Sequence, residues 1–287
     1  MAGKTKKKQS QFSMVIRRLS KNKAAMIGLF IFLAEIIIAI LALKISPYSY
    51  SEINNKEMLL GPSLRHLCGT DEYGRDLFSR IIYGTRYSLS IGIIATLGSA
   101  FFGMIIGGIA GFFGGNVDNV IMRILDVVQA IPSLLLMIVI AASLGTGYGV
   151  TIIALLVSTV PARARLFRAS ILNIREAEYI EAAQSINCSK FKIILTHIVP
   201  NALSPMIVNV TMGIANSINI VAGLSFVGLG VPLSIPEWGA LLSAGRANMR
   251  AYPYLVIFPG LAIMITVFAL NMLGDGLRDA MDPKLRN

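Results

Sequence analysis

The 287-residue sequence is unusually apolar, since 55% of its residues are hydrophobic and only 14% are charged. Its mean hydropathy of +0.69 excludes an ordinary soluble domain and indicates a protein embedded in lipid. The formal net charge of +11 would favour nucleic acid binding in a soluble protein, but the basic residues stand beside apolar runs. We therefore expect membrane lipid, and no nucleic acid, around this chain.

The N-terminal segment predicts a cytoplasmic start and a first membrane span. Residues 1–23 are basic and contain no acidic residue, so they are expected to stay in the cytoplasm. The apolar run 24–43 is too long for the core of a signal peptide, which predicts an uncleaved transmembrane helix. Glu35 interrupts this run, and its role stays open between a functional group and a bond to a neighbouring helix. Residues 44–86 are expected to form an extracytoplasmic loop.

Further apolar runs predict five more spans, because a helix needs about 20 residues to cross a bilayer core of about 30 Å. These runs are 87–115, 127–162, 198–235 and 251–274. The run 127–162 is split by the turn signal Gly145–Gly149, and its first helix is expected to begin near Asp118. The sequence thus predicts an all-α integral membrane fold with six transmembrane helices and both termini cytoplasmic. The transmembrane domain would cover 87–274, and residues 275–287 would form a cytoplasmic tail.

Two side-chain patterns predict contacts within these helices. Gly103, Gly107 and Gly111 recur at every fourth position of the second span and predict close helix packing, either within the chain or against a partner. Arg123 and Asp126 stand three residues apart on the third span, where one helix turn brings their side chains together. We expect a structural ion pair between them.

The sequence predicts no catalytic, metal or cofactor site. Its two cysteines, Cys68 and Cys188, are expected on opposite faces of the membrane, which argues against a disulfide. Its two histidines form no cluster with metal-ligand spacing. The fragment Gly3-Lys4-Thr5 lacks the upstream glycine of a P-loop, and no hydrolase motif is present. The chain is therefore not expected to be an enzyme.

A segment of about 168–200, between spans four and five, predicts helix, turn and helix. Its first part is rich in Glu and Ala, which are strong helix formers. Asn187 suits a left-handed C-terminal cap, and Ser189 could cap the next short helix. On these residues alone, an amphipathic hairpin at the membrane surface is an equally good interpretation.

The same segment resembles a known motif. The string EYIEAAQSINCSKFKIILTHIVPN resembles the EAA loop of ABC importer permeases, with Glu181, Ala182 and Ala183 at its opening. Asn187 stands where the motif usually has glycine, and asparagine tolerates the left-handed conformation that such a turn requires. Further strings, at 66–89, 114–136, 224–246 and 258–283, are similar to C-type permease subunits of oligopeptide, dipeptide and nickel importers.

This resemblance implies a function and a set of partners. The EAA loop would couple the permease to ATP hydrolysis through Glu181, Ala182, Ala183 and Asn187. The expected partners are a second permease subunit, two ATPase subunits that bind ATP and magnesium, and an extracytoplasmic binding protein. The chain would then form half of an alternating-access pathway for oligopeptides or dipeptides in the inner membrane. A nickel or metal-chelate importer is the alternative within the family.

An ion-coupled secondary transporter is the alternative from another class. Such a transporter would show internal repeats and buried charges near the bilayer midplane, whereas here no clear repeat is found and intramembrane charge is sparse.

The loop 230–250 is the predicted contact surface for the binding protein. Glu237 and Trp238 are its candidate contact residues, because they stand together between Pro236 and Gly239. An aromatic anchor at the membrane interface, with a helix starting after Pro236, explains the same residues equally well.

Overall fold

A computed structural model describes residues 11–186 and 188–281, which adopt an all-α fold. Its helices are α1 (Gln11–Leu19), α2 (Lys23–Ile45), α3 (Leu77–Phe113), α4 (Gly115–Gln129), α5 (Ser133–Leu144), α6 (Tyr148–Arg175), α7 (Glu178–Ser185), α8 (Lys190–Ile193), α9 (Val199–Phe226), α10 (Trp238–Gly245) and α11 (Tyr254–Met281). Within the described residues, α2, α3, α6, α9 and α11 are each long and apolar enough to cross a membrane. The pair of α4 and α5 adds a sixth span if it is counted as one, so the multi-spanning helical fold is confirmed.

The third span, which the sequence predicts as one helix beginning near Asp118, consists of two helices in the structure. It is broken between Gln129 and Ser133, and α4 and α5 are bent by 78° at this point. Pro132 has no backbone N–H and disfavours helical geometry at Ile131, which explains the position of the break. The next break, at Gly145 and Gly147, separates α5 from α6 where the turn signal predicted it.

Helix α3 begins ten residues earlier than the apolar run that predicted it. Asp76 caps its first turn by accepting a hydrogen bond from the backbone N–H of Ser79 at 2.7 Å. The 37-residue helix is about 55 Å long, well beyond the thickness of a bilayer core. Arg80, in the part of the helix that precedes this run, is buried and bonds Asp71 at 2.7 Å and the carbonyl of Leu233 at 2.9 Å.

The glycine stripe of α3 packs within the chain, against α6. A β-carbon at Gly103 would lie 2.7 Å from the Arg163 β-carbon, and one at Gly107 would collide with the carbonyl of Ala164. A β-carbon at Gly111 would lie 3.1 Å from the Ile171 side chain, a looser but still tight contact. Because only glycine allows this approach, the stripe brings two helix backbones together, as small residues do in membrane interiors.

Helix α9 lies at the centre of the helical core, and α2 lies at its edge. Ile214, Ile218 and Leu270 belong to the buried cluster between α9 and α11. At the edge, the hydroxyl of Thr266 on α11 donates a hydrogen bond of 2.7 Å to Glu35 on α2. Glu35 thus bonds a neighbouring helix, which was one of the two roles left open for it.

The connection between α2 and α3 is held by buried charges. His66 Nδ1 lies 2.9 Å from Asp76, and Asp71 bonds both Arg75 and Arg80 at 2.7 Å. Cys68 is buried beside this network, and burial, with the Asp76 charge, raises the pKa of its thiol to about 11. Both cysteines are free thiols. Asp71 and Asp76 therefore bond basic side chains of this connection.

Candidate translocation cavity and coupling helix

The break between α4 and α5 opens onto a cavity of about 710 Å³. It is walled by the break, by α6 and by α9. The lining residues are Val128, Gln129, Ile131, Pro132, Ser133, Ser158, Thr159, Ala162, Arg163, Asn209, Met212, Gly213, Asn216 and Ile220. Irregular backbone at membrane depth is tolerated where it lines a cavity, because its free N–H and C=O groups need polar surroundings. The break and the cavity are therefore parts of one feature.

Helix α9 presents a polar face to this cavity. Asn209, Gly213 and Asn216 are spaced by four and three residues, so they lie on one side of the helix. Asn209 and Asn216 are exposed. Asparagine amides both donate and accept hydrogen bonds, and a wall made of them can hold polar but uncharged groups. The regular spacing of these residues is a signal that the sequence already carried.

Arg163 is the charged residue of the cavity wall. Its side chain is 7% exposed, and Nη1 donates a hydrogen bond of 2.7 Å to the amide oxygen of Asn209. Its Nε has no partner among the described residues. Arg163 and Arg165 lie two residues apart on α6. Residues two apart project about 200° apart around a helix, so only Arg163 can turn toward this cavity.

Two other arginines of α6 anchor α4. Arg165 forms an ion pair with Asp126, and Arg168 holds Asp118 with two hydrogen bonds. The predicted pair of Arg123 with Asp126 is therefore wrong. Arg123 and Asp126 are both exposed, and the Asp126 carboxylate bonds Arg165 of the neighbouring helix α6 instead of Arg123. Both ion pairs fix the broken span to the cavity wall.

The predicted coupling residues lie on a short helix, α7. Glu181 and Ala182 are exposed, and Ala183 is half-buried. Asn187 lies outside the described residues. The other face of α7 is anchored by Ile180, which is fully buried in a cluster with residues of α6, α8 and α9: Phe167, Ile171, Ile193, Ala202 and Met206.

The segment after Asn187 contains the predicted short helix. The backbone N–H of Lys192 donates to the Ser189 hydroxyl at 3.4 Å, which makes Ser189 a cap of α8. The π turn Ile194–Ile198 then leads into α9. Helix α7 is therefore connected by short, packed segments to both α6 and α9, the two helices that carry the cavity wall.

Glu237 and Trp238 are buried, with 1% and 2% of their surfaces exposed. The Glu237 carboxylate caps α10 by accepting hydrogen bonds of 2.9 Å from the backbone N–H groups of Gly239 and Ala240. Trp238 Nε1 donates to the carbonyl of Ile81 on α3 at 3.0 Å. These side chains hold the loop in place, and a partner on this face would meet their exposed neighbours instead.

Comparison with known proteins places this arrangement in a family. Residues 103–287 match the family described as binding-protein-dependent transport system inner membrane component. The chain belongs to this family. Its residues 10–62 also match the N-terminal transmembrane domain of oligopeptide transport permease C.

Curated members of the family are similar over almost the whole chain. The dipeptide transport system permease protein of Alkalihalophilus pseudofirmus is 44% identical over 97% of this chain and 91% of its own length. The glutathione transport system permease protein of Pectobacterium atrosepticum is 43% identical over 94% of this chain and 90% of its own. The dipeptide transport system permease protein of Haemophilus influenzae is 41% identical over 93% of this chain and 92% of its own length.

Solved structures share the helical core of this family member. An inward facing methionine ABC transporter matches with a TM-score of 0.59 at 17% identity, over 70% of this chain and 96% of that one. An amino acid ABC transporter crystallised with histidines matches with a TM-score of 0.55 at 15% identity. This match covers 69% of this chain and 92% of that one. These similarities show that the chain has the transporter fold. Its family and its apolar helices identify it as a multi-pass membrane protein.

Proposed function

We propose that this chain is a permease subunit of an ATP-driven ABC importer of dipeptides or oligopeptides in the cytoplasmic membrane. The observation that carries the proposal is the polar cavity at the broken span, in a chain more than 40% identical to dipeptide and glutathione permeases along nearly its whole length. Peptides are rich in neutral hydrogen-bonding groups, and the cavity wall offers the complementary amides and hydroxyls.

The cavity would form one half of the pathway. Its walls come from three elements of this chain, and a second permease subunit would supply the opposite wall. The chain carries no P-loop, so two separate ATPase subunits would bind ATP and magnesium. An extracytoplasmic binding protein would deliver the peptide.

Helix α7 would transmit the ATPase motion. Glu181 and Ala182 face outward for docking, while the buried Ile180 ties α7 to the cluster that contains Ile171 of α6 and Met206 of α9. A close-packed apolar contact transmits displacement, because its side chains cannot be compressed. Movement of α7 would therefore shift both helices of the cavity wall, which is the change that alternating access requires.

Purification and reconstitution test this function. The tagged chain, solubilised in mild detergent, should bring down a second permease and two ATPase subunits. Liposomes containing the complex should take up a labelled dipeptide only when ATP and the binding protein are both supplied. A chain that purifies alone and transports without ATP would instead be a secondary transporter.

A further inference from the structure

The guanidinium of Arg163 is a buried charge that the chain leaves incompletely satisfied. Its one side-chain partner is the neutral amide of Asn209, at 2.7 Å, and Nε has no partner among the described residues. Burying a charge without a counter-charge is unfavourable, and such groups are usually paired or belong to a site. In the described part of the chain, the two carboxylates of the neighbouring helix α4, Asp118 and Asp126, are bound by Arg168 and Arg165 instead.

The rest of the cavity wall leaves this charge uncompensated. Arg163 is the one charged residue among the described lining residues, and the remaining polar ones are neutral amides and hydroxyls. Pro132 and Ser133 bring the N-terminal end of α5 to the cavity, and no side chain caps that end. A helix N-terminus carries partial positive charge and free N–H groups, so it adds to the attraction for an anion.

We infer that Arg163 binds the C-terminal carboxylate of the peptide inside the translocation cavity. The inference rests on the proposed function and names the group of the substrate that the pathway recognises. A carboxylate matches the planar fork of a guanidinium, and it is the one anionic group that every unmodified peptide carries. The neutral amides and hydroxyls around it can form hydrogen bonds with the peptide backbone. They do not select among peptide side chains.

Gly213 allows the guanidinium to occupy this position. A β-carbon at residue 213 would collide with Arg163 Nη2 and lie 3.2 Å from Cζ. Alanine at this position therefore displaces the guanidinium while the charge is retained. Gly213 is thus a positioning residue. Gly213→Ala keeps the arginine charge but moves it, so this variant tests whether the position of the charge matters.

The competing explanation is structural, because the bond from Arg163 to Asn209 also ties α6 to α9. A strut between helices would affect stability but would not distinguish one end of a peptide from the other. Selectivity between a peptide acid and its amide is therefore the decisive readout. The measurement must omit the binding protein, which could impose its own preference for a carboxylate.

The experiment is equilibrium binding to the complete permease and ATPase complex in nanodiscs, without binding protein. The probes are dialanine, N-acetyl-dialanine, which keeps only the carboxylate, and dialanine amide, which lacks it. Wild type should bind both acids about tenfold more tightly than the amide, and Arg163→Gln should abolish that ratio. Gly213→Ala should reduce it, Arg163→Lys should retain part of it, and the control Arg123→Gln, at an exposed arginine outside the cavity lining, should leave it unchanged.

The outcomes separate this site from the proposed function. Equal binding of acid and amide by wild type, or an unchanged ratio in both Arg163→Gln and Gly213→Ala, would overturn the carboxylate site. If the same complex still takes up dialanine with ATP and binding protein, the proposed function stands without it. If no peptide is taken up at all, both are wrong.

Discussion

Ser88 of α3 donates a hydrogen bond of 3.1 Å to the carboxylate of Glu237, at the start of α10. The same hydroxyl accepts from the backbone N–H of Trp238 at 3.1 Å. This relationship fixes the loop before α10 onto the long helix α3. It also assigns a structural contact to a carboxylate that the sequence offered as a docking residue.

Glu237→Ala should destabilise the protein. The substitution removes the cap of α10 and the acceptor of Ser88, and loss of a cap costs about 1 kcal/mol, with the buried hydroxyl adding a similar amount. We expect a lower midpoint of thermal unfolding in detergent, while the exposed Arg250→Ala should match wild type. Wild-type stability combined with loss of binding-protein capture would restore the docking role.

Gly107→Ala should disrupt the contact of α3 with α6. Its new methyl group would collide with the backbone carbonyl of Ala164, which cannot move without shifting α6. Overpacking of this kind costs about 1–3 kcal/mol, more than the helix propensity that alanine gains. Gly108→Ala is the matched control, since its methyl group would lie 3.7 Å from Phe167. Equal melting midpoints for both variants would contradict the packing.

Much of the fold could be predicted from hydropathy and turn signals. The run 24–43 corresponds to α2 at Lys23–Ile45, and the glycines at 145 and 147 separate α5 from α6. These features are local: apolar length sets a span, and glycine or proline ends it. Pro132 carried the same kind of signal for the broken span, but the apolar residues around it concealed the break.

Side-chain partners could not be predicted in this way. The sequence predicted an ion pair of Asp126 with Arg123 on the same helix. In the structure the partner of Asp126 is Arg165, on another helix. Arg80 lies before the apolar run 87–115 but belongs to the same helix in the structure, where Asp71 neutralises it. Such contacts depend on which helices become neighbours, and sequence spacing contains no record of that. The cavity at Arg163 was missed for the same reason.

Asp118→Asn should weaken the attachment of α4 to α6. Asp118 is mostly buried and receives two hydrogen bonds from Arg168, so its neutralisation should cost about 1–3 kcal/mol. Asp126→Asn removes the other ion pair, whose side chains are 42% and 48% exposed, and should cost about 0.2–1 kcal/mol. Thermal unfolding of the two variants gives the comparison. A larger loss of stability for Asp126→Asn than for Asp118→Asn would mean that Asp126, and not Asp118, provides the stronger attachment of α4 to α6.

Glu181→Arg should uncouple transport without unfolding the chain. Glu181 is exposed on α7, so reversing its charge leaves the buried cluster around Ile180 intact. Peptide uptake should fall at least about tenfold, as a loss of ~1.4 kcal/mol in docking would produce. The exposed Glu176→Arg, just before α7, gives the same charge change as a control. Normal ATP-dependent uptake by Glu181→Arg would argue against the coupling role.

The pKa of Cys68 predicts a pH dependence of stability. Burial, assisted by the Asp76 charge, raises this pKa from its ordinary value of 9.0 to about 11. The unfolded chain therefore releases the thiol proton at lower pH than the folded chain, so the folded state loses stability as pH rises from about 9 to about 11. Cys68→Ala should reduce this decline when melting midpoints are compared at pH 8, 9 and 10. The lysines and tyrosines are the same in wild type and Cys68→Ala. If the melting midpoints of the two proteins fall equally with pH, Cys68 does not contribute to the decline.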